Sequence, residues 1–346
     1  MNPRIALVTL SLLLSVGLGV TFARRGGGPT RSPAADRAPV IGFSLDTLKE
    51  ERWVRDRDRF VAKAKELGAE VLVQSANSDD ARQIQDVESL ISRGVDVIVI
   101  VPHDGAAMAK GVAAAKKAGI PVISYDRLIT GADVDVYLSF DNVRVGRLQA
   151  EYLVGKLGGK GRIVRIYGSK TDNNALLFKQ GQDEILQPLI ASGAIKVVHE
   201  DWALDWRPEN AKKIMNAALT AHGRDGIDAV LASNDGTAGG AIQALVEEGI
   251  AGRVLVTGQD ADLAACQRIL RGTQTMTIYK PLSRLADRAA QTAVAIAKRA
   301  VLVANGTVDN GFKPVPAILE EVIAVDRENM QETVVKDGFH KAEDLN

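Results

Sequence analysis

One stretch of this chain is written twice, and that repeat limits the folds open to it. Residues 94–127 read GVDVIVIVPHDGAAMAKGVAAAKKAGIPVISYDR and residues 226–262 read GIDAVLASNDGTAGGAIQALVEEGIAGRVLVTGQDAD. Superposed, Gly94 falls on Gly226, Asp96 on Asp228, Asp104 and Gly105 on Asp235 and Gly236, Gly119 on Gly249, and Asp126 close to Asp260. In each copy a run of β-branched residues stops at polar ones, an Ala-rich helical stretch follows, and a second apolar run ends on an aspartate. The pattern is that of a β-α-β unit. Parallel strands joined by helices bring their carboxyl ends to one edge, where α/β sheets bind ligands. Two copies predict two lobes whose polar edges face each other.

A chain of 346 residues exceeds what one hydrophobic core supports, so the length agrees with two domains. Basic and acidic side chains balance at 43 each, leaving no net field to hold a polyanion, and nucleic acid is not an expected partner. Cys266 is the only cysteine, which removes an internal disulfide framework and a cysteine-rich metal site. The amino end stands apart. Residues 5–22 are apolar and uncharged, and Thr21, Phe22 and Ala23 offer a cleavage site, so residues 1–23 read as an export signal. The run is also long enough to span a bilayer, which keeps an uncleaved anchor as the competing reading. No cysteine follows it to carry a lipid. Residues 24–39, rich in Gly, Pro, Ser and Arg, read as a flexible tether.

From residue 40 strands and helices alternate. Strands are expected at 40–45, 69–75, 95–101, 120–125 and 136–140, and again at 162–167, 195–200, 227–233, 253–258 and 275–279. Their near-continuous apolar character suits parallel sheets covered on both faces. Pro281 opens a helix expected over 282–304, and one more strand is expected at 321–325. Strand ends collect a polar kit: Arg52 and Trp53 after the first, Asp126 and Arg127 after the fourth. In the second half come Asp172, Asn173 and Asn174, then Trp206, Asn234 with Asp235, Asp260, and Lys280. Carboxylates accept, amides do both and guanidinium donates in a rigid fork, so together they can satisfy the hydroxyls of a sugar. Trp53 and Trp206 offer flat faces for the C–H side of a sugar ring. Each has a plainer role available. Asn173, Asn234 and Asp235 suit helix caps, Trp206 can pin a loop, and the alternation of Arg55, Asp56, Arg57, Asp58 and Arg59 reads as a solvated helix face. The repetition of the kit at several strand ends favours the carbohydrate site.

Catalytic signatures are weak. No glycine run has the spacing of a dinucleotide-binding turn or a nucleoside-triphosphate loop, and no nucleophile elbow is present. His103, His199, His222 and His340 are scattered singly, without the spacing of a metal site. A sugar-processing enzyme with Asp126 and Asp260 as acid and base is the lesser reading, and no cofactor is expected. A two-lobed transcriptional regulator is disfavoured, because the amino end carries an apolar segment in place of a basic helix-turn-helix.

Eleven segments in order, among them GFSLDTLKEERWVRDRDRF, ISYDRLI, LSFDNVRVG, DNNALLFKQGQ, ASNDGTAGGAIQAL, GQDADLA, GTQTMTIYKP and VVKDGFHK, resemble the periplasmic sugar-binding proteins of bacterial ABC importers. The resemblance runs from about residue 41 to the carboxyl end and is stronger to the D-xylose binders than to those for ribose or galactose. It implies an α/β fold of two Rossmann-like lobes with parallel sheets joined by a three-segment hinge, the type I periplasmic binding protein. The lobes would comprise 40–141 plus 282–308, and 142–281 plus 309–346. It also implies a pentose such as D-xylose clamped between them, delivery to a membrane permease, a periplasmic location and a monomeric state. A receptor-coupled sensory role fits the same pattern. By motif, the sugar contacts would be Arg52, Trp53, Asp126, Arg127, Asn173, Trp206, Asn234, Asp260 and Lys280. Two features depart from the family pattern: His103 in PHDG stands where a tyrosine is expected, and the tether is longer.

Overall fold

The computed structural model describes residues 37–345; the expected export signal and all but the last residues of the expected tether lie outside the described residues. The first half runs β1 (Val40–Leu45), α1 (Glu51–Glu66), β2 (Glu70–Ser75), α2 (Asp80–Ser92), β3 (Val97–Val101), α3 (Ala109–Lys117), β4 (Val122–Tyr125) and β5 (Val136–Phe140). The second half runs α4 (Asn142–Lys156), β6 (Gly161–Tyr167), α5 (Asn173–Ala191), β7 (Ile195–Trp202), α6 (Pro208–His222), β8 (Ala229–Ala232), α7 (Asp235–Glu247), β9 (Leu255–Val256), α8 (Leu263–Arg271) and β10 (Thr277–Tyr279). After these come α9 (Leu282–Ala297), β11 (Gly306–Asp309), β12 (Pro314–Glu320) and β13 (Ile323–Val325).

Two sheets result. The first has the order β11-β12-β5-β4-β3-β1-β2, parallel except for edge strand β11, and the second is β7-β6-β8-β9. β10 pairs with β13 antiparallel. Both copies of the repeated stretch form the expected unit: β3 pairs β4 in parallel and β8 pairs β9 in parallel. The alternation of side chains along a strand explains why the runs are so apolar. Val97, Val99 and Val101 pack with α1 and α9, while Ile98 and Ile100 pack with Leu90 of α2 and Val112 of α3. In the second sheet Val164, Ile166 and Val230 face α6 and α7, and Ile163 and Leu231 face α4 and α5.

The chain passes between the sheets three times: from β5 into α4, from β10 into α9, and from β12 into β13. The first and third crossings touch, the Asp141 amide donating to the Glu320 carbonyl at 3.2 Å. Two expectations need correction. Residues 309–346 were assigned whole to the second lobe, yet Ala317–Glu320 of β12 pairs with Tyr137–Phe140 of β5, which extends the first sheet. The helix expected to 304 stops at Ala297; Arg299 takes a left-handed φ of 57°, and the β-branched Val301 and Val303 that follow are exposed, with nothing to hold them helical.

Candidate functional site

In both sheets the strand order reverses beside the first strand of the lobe, between β1 and β3 and between β6 and β8. At such a reversal the two neighbouring connections leave on opposite faces and open a crevice at the carboxyl ends. The two crevices meet. Between them lies a cavity of about 350 Å³ lined by Glu50, Arg52, Trp53, Asp126 and Arg127 from the first lobe, and by Asp172, Asn174, Phe178, Trp206, Asn234, Gln259 and Asp260 from the second, with Lys280 at a crossing. A second space adjoins it, bounded in part by the same Arg52, Trp206, Asn234 and Asp260.

The two aspartates that end the repeated units hold equivalent places. Asp126 has φ 60° and Asp260 φ 97°, conformations that non-glycine residues keep only when their surroundings impose them. The surroundings do so in the same way twice: the Asp126 amide donates to the Leu138 carbonyl at 2.7 Å and the Asp260 amide to the Ile278 carbonyl at 2.8 Å. The Asp126 carbonyl accepts from Tyr137, Ser139 and Asn174 as well. Arg52, which is buried, reaches both carboxylates, with Nη2 2.7 Å from Asp126 and Nη1 3.3 Å from Asp260, so its fork ties the lobes together. Asn174 makes a second tie, its Nδ2 donating to Asp126 Oδ1 at 3.1 Å. Arg127 makes a third, between Asp46 at 2.7 Å and Asp172 at 2.9 Å. Lys280 lies 3.5 Å from Asp260 and faces the rings of Phe140 and Phe178.

Burial and pairing set the charges. Burial alone would raise the Asp126 carboxyl, but Arg52 and then Lys280 hold it below its ordinary value. Burial lowers Lys280, against the pull of Asp260 and Asp126. Behind the cavity, burial lifts Asp56 to about 6 despite Arg52, and Tyr125 donates to it. Asp56 was expected on a solvated helix face; it is fully buried instead, because the i, i+4 spacing on α1 places it under Arg52. Burial likewise raises Glu50. Each cation in the cavity has a carboxylate beside it, yet Glu50 Oε2 and Gln259 Oε1 are buried acceptors, and Arg127 Nε a buried donor, with no hydrogen-bond partner among the described residues. A set of paired charges with spare acceptors and a spare donor suits a neutral ligand whose hydroxyls both donate and accept.

The aromatic walls come from both lobes. Trp53 lies beneath two guanidinium groups, Arg52 at 4.1 Å and Arg127 at 5.2 Å from its ring centre. Trp206 ends a one-turn 3₁₀ segment (Leu204–Trp206), takes φ 58° as its neighbour Asp205 takes 53°, and donates from Nε1 to Asp172 at 3.1 Å.

Of the nine residues singled out in the sequence, eight line this cavity and Asn173 does not. Asn173 is the first residue of α5 and partly exposed; its neighbour Asn174 is buried and turned inward. Asn174 and Phe178, four residues apart, share the helix face that lines the cavity. Asn234 lines the cavity and also fills the plainer role, its side-chain oxygen accepting from the Thr237 amide at 2.8 Å to cap α7. Glu50 and Gln259 also line the cavity without being expected there, although Gln259 adjoins Asp260 and Glu50 lies two positions before Arg52. As for an acid-base pair in Asp126 and Asp260, both contact the same guanidinium, and Asp126, held ionised, offers no proton at neutral pH. Among the described residues no group of three or more His, Cys, Asp or Glu is placed to hold a metal ion.

Two open-edged α/β lobes, three crossings and a cavity between them define a periplasmic binding protein of type I. The sequence pattern of the family described as "Periplasmic binding protein domain" matches residues 41–300, and the chain belongs to that family. Among its relatives, the D-xylose-binding periplasmic protein of Haemophilus influenzae is 53% identical, the match covering 91% of this chain and 94% of the relative. The D-xylose-binding periplasmic protein of Escherichia coli is 51% identical over 88% of this chain and 92% of its own. A solved structure, the ABC transporter solute-binding protein of Clostridium phytofermentans with bound β-D-glucose, superposes with a TM-score of 0.84 at 33% identity, covering 89% of this chain and all of that one.

Proposed function

We propose that this chain is an extracytoplasmic receptor that takes D-xylose, or a pentose of similar stereochemistry, into the cavity between its lobes and delivers it to the membrane permease of an ABC importer. The observation that carries the reading is the makeup of the cavity. Charged groups from both lobes are mutually paired around one enclosed space, and Glu50 and Gln259 leave acceptors open. The names of the relatives support the choice of sugar. Arg52, Asp126, Arg127, Asn174, Asp260 and Lys280 are the proposed hydroxyl partners, with Asn234 at the wall and Trp53 and Trp206 as ring faces. A hydrogen bond to a charged group contributes about 1.5–3 kcal/mol net, so a handful reach micromolar affinity after association costs.

The sugar touches both lobes only when they are together, so it shifts the population toward the closed form. The chain acts as a monomer that binds without chemical change to the sugar. Residues 1–23 are read as the export signal that directs the chain to the periplasm. The test is a thermal-shift and calorimetric panel of pentoses and hexoses on residues 40–346, with product analysis of the same mixtures. Saturable D-xylose binding with unchanged sugar is expected. No heat with any pentose, or a released product, overturns the reading.

A further inference from the structure

Gly168 follows β6 and is not among the residues lining the cavity, yet it has a specific neighbour. A Cβ built on it would fall 2.0 Å from Cη2, 2.2 Å from Cζ2 and 2.4 Å from Cζ3 of Trp206, three consecutive atoms of the six-membered ring. Near-equal distances to consecutive ring atoms put that Cβ over the face of the indole and not at its edge. The ring therefore lies flat on the glycine, closer than any side chain allows. The backbone of Gly168 is outside the left-handed region, so no conformational demand explains the glycine there. Neighbouring contacts fix the same placement: the Ala203 amide donates to the Tyr167 carbonyl at 3.0 Å, the Asp205 amide to Ser169 Oγ at 3.4 Å, and the indole Nε1 to Asp172.

We propose that Gly168 is a positioning residue for sugar binding: it supports one face of the Trp206 indole at a depth that leaves the opposite face to the cavity. A methyl group at 168 tilts or lifts the ring into a space of only about 350 Å³, removing the stacking surface and narrowing the cavity together. The inference rests on the proposed sugar-binding role and adds a residue to it that makes no contact with the sugar.

The test is a double-mutant cycle in the full chain. Gly168→Ala lowers D-xylose affinity by about tenfold or more, the scale of a lost aromatic stack with steric intrusion. With Trp206→Ala already present, adding Gly168→Ala changes affinity by less than about twofold, because the displaced atoms are gone. Wild-type affinity in Gly168→Ala, or an equal loss in both backgrounds, overturns the proposal. If Gly168→Ala fails to fold while the double variant folds, the clash with Trp206 is established; if both fail, the glycine serves the backbone and the proposal falls. Acrylamide quenching of indole fluorescence in the ligand-free protein separates this inference from the choice of sugar. Gly168→Ala raises the quenchable signal that Trp206→Ala removes, and no change overturns the proposal even where wild type binds no xylose.

Discussion

Asp126 and Asp260 show how much a single residue type can be asked to do. Each ends a repeated unit, adopts a left-handed backbone conformation and offers its carboxylate to Arg52. Their identity and position were legible in the sequence because the repeat aligned them. The inward turn of Asn174 in place of Asn173 was not, since the choice depends on where α5 begins, and helix starts are uncertain by a residue or two from sequence alone. The two asparagines make a direct comparison. Asn174 donates to Asp126 and accepts from Tyr137 at 3.3 Å and Asn142 at 2.9 Å. Asn174→Ala leaves those buried groups short of partners, at a cost of about 1–3 kcal/mol in unfolding free energy, with weaker sugar binding. Asn173→Ala changes either quantity by less than about 0.5 kcal/mol. Denaturant titration and calorimetry on the pair check this, and equal effects would remove Asn174 from the proposed site. Gln259 and Glu50 were hidden for another reason: an unpartnered acceptor is a property of packing, which no local pattern encodes.

At the scale of elements, the loop after β3 and the turn before α6 meet across the cleft. His103 Nδ1 lies 3.1 Å from Asp46 Oδ1, and Nε2 lies 4.0 Å from Asp205 in the other lobe. The hydrogen bond to Asp46 raises the imidazole above its ordinary value; the charges of Asp46 and of Asp80 on α2 add to this, while burial and Arg127 oppose it. Because the folded value is raised above the unfolded 6.5, the stabilisation is fully present below about pH 6.5 and is lost as pH rises through the raised value. The His103 contribution to the thermal midpoint therefore declines as pH rises above about 6.5 in the wild type. His103→Gln removes that share and flattens the profile of midpoint against pH. A variant profile parallel to that of the wild type would show that the contact carries no weight. The repeat and its strands were readable as elements, because both faces of each sheet are covered and the apolar runs are unbroken. β11 and β12 were not: β11 reads GTVD, β12 begins PVP, and the pairing with β5 is specified by a strand almost two hundred residues earlier.

For the whole molecule, ties that hold the lobes around the cavity include Arg52 to Asp260, Arg127 to Asp172 and Asn174 to Asp126, and the Gly105 amide reaches the Thr171 carbonyl at 3.2 Å beside them. Buried pairs of this kind lose much of their attraction to desolvation, so they fix geometry more than they drive closure, and the ligand supplies the difference. Small-angle scattering of the mature chain is expected to show a smaller radius of gyration with saturating D-xylose than without. Identical profiles would mean that binding does not bring the lobes together. The order of the chain through the three crossings has one more consequence. The interior of the first lobe includes Leu282, Leu285, Ala289, Ala293 and Ile318 beside Ile41 and Phe43, so its earliest strands wait for partners made almost last. That interior is complete only once residue 318 of 346 has been made.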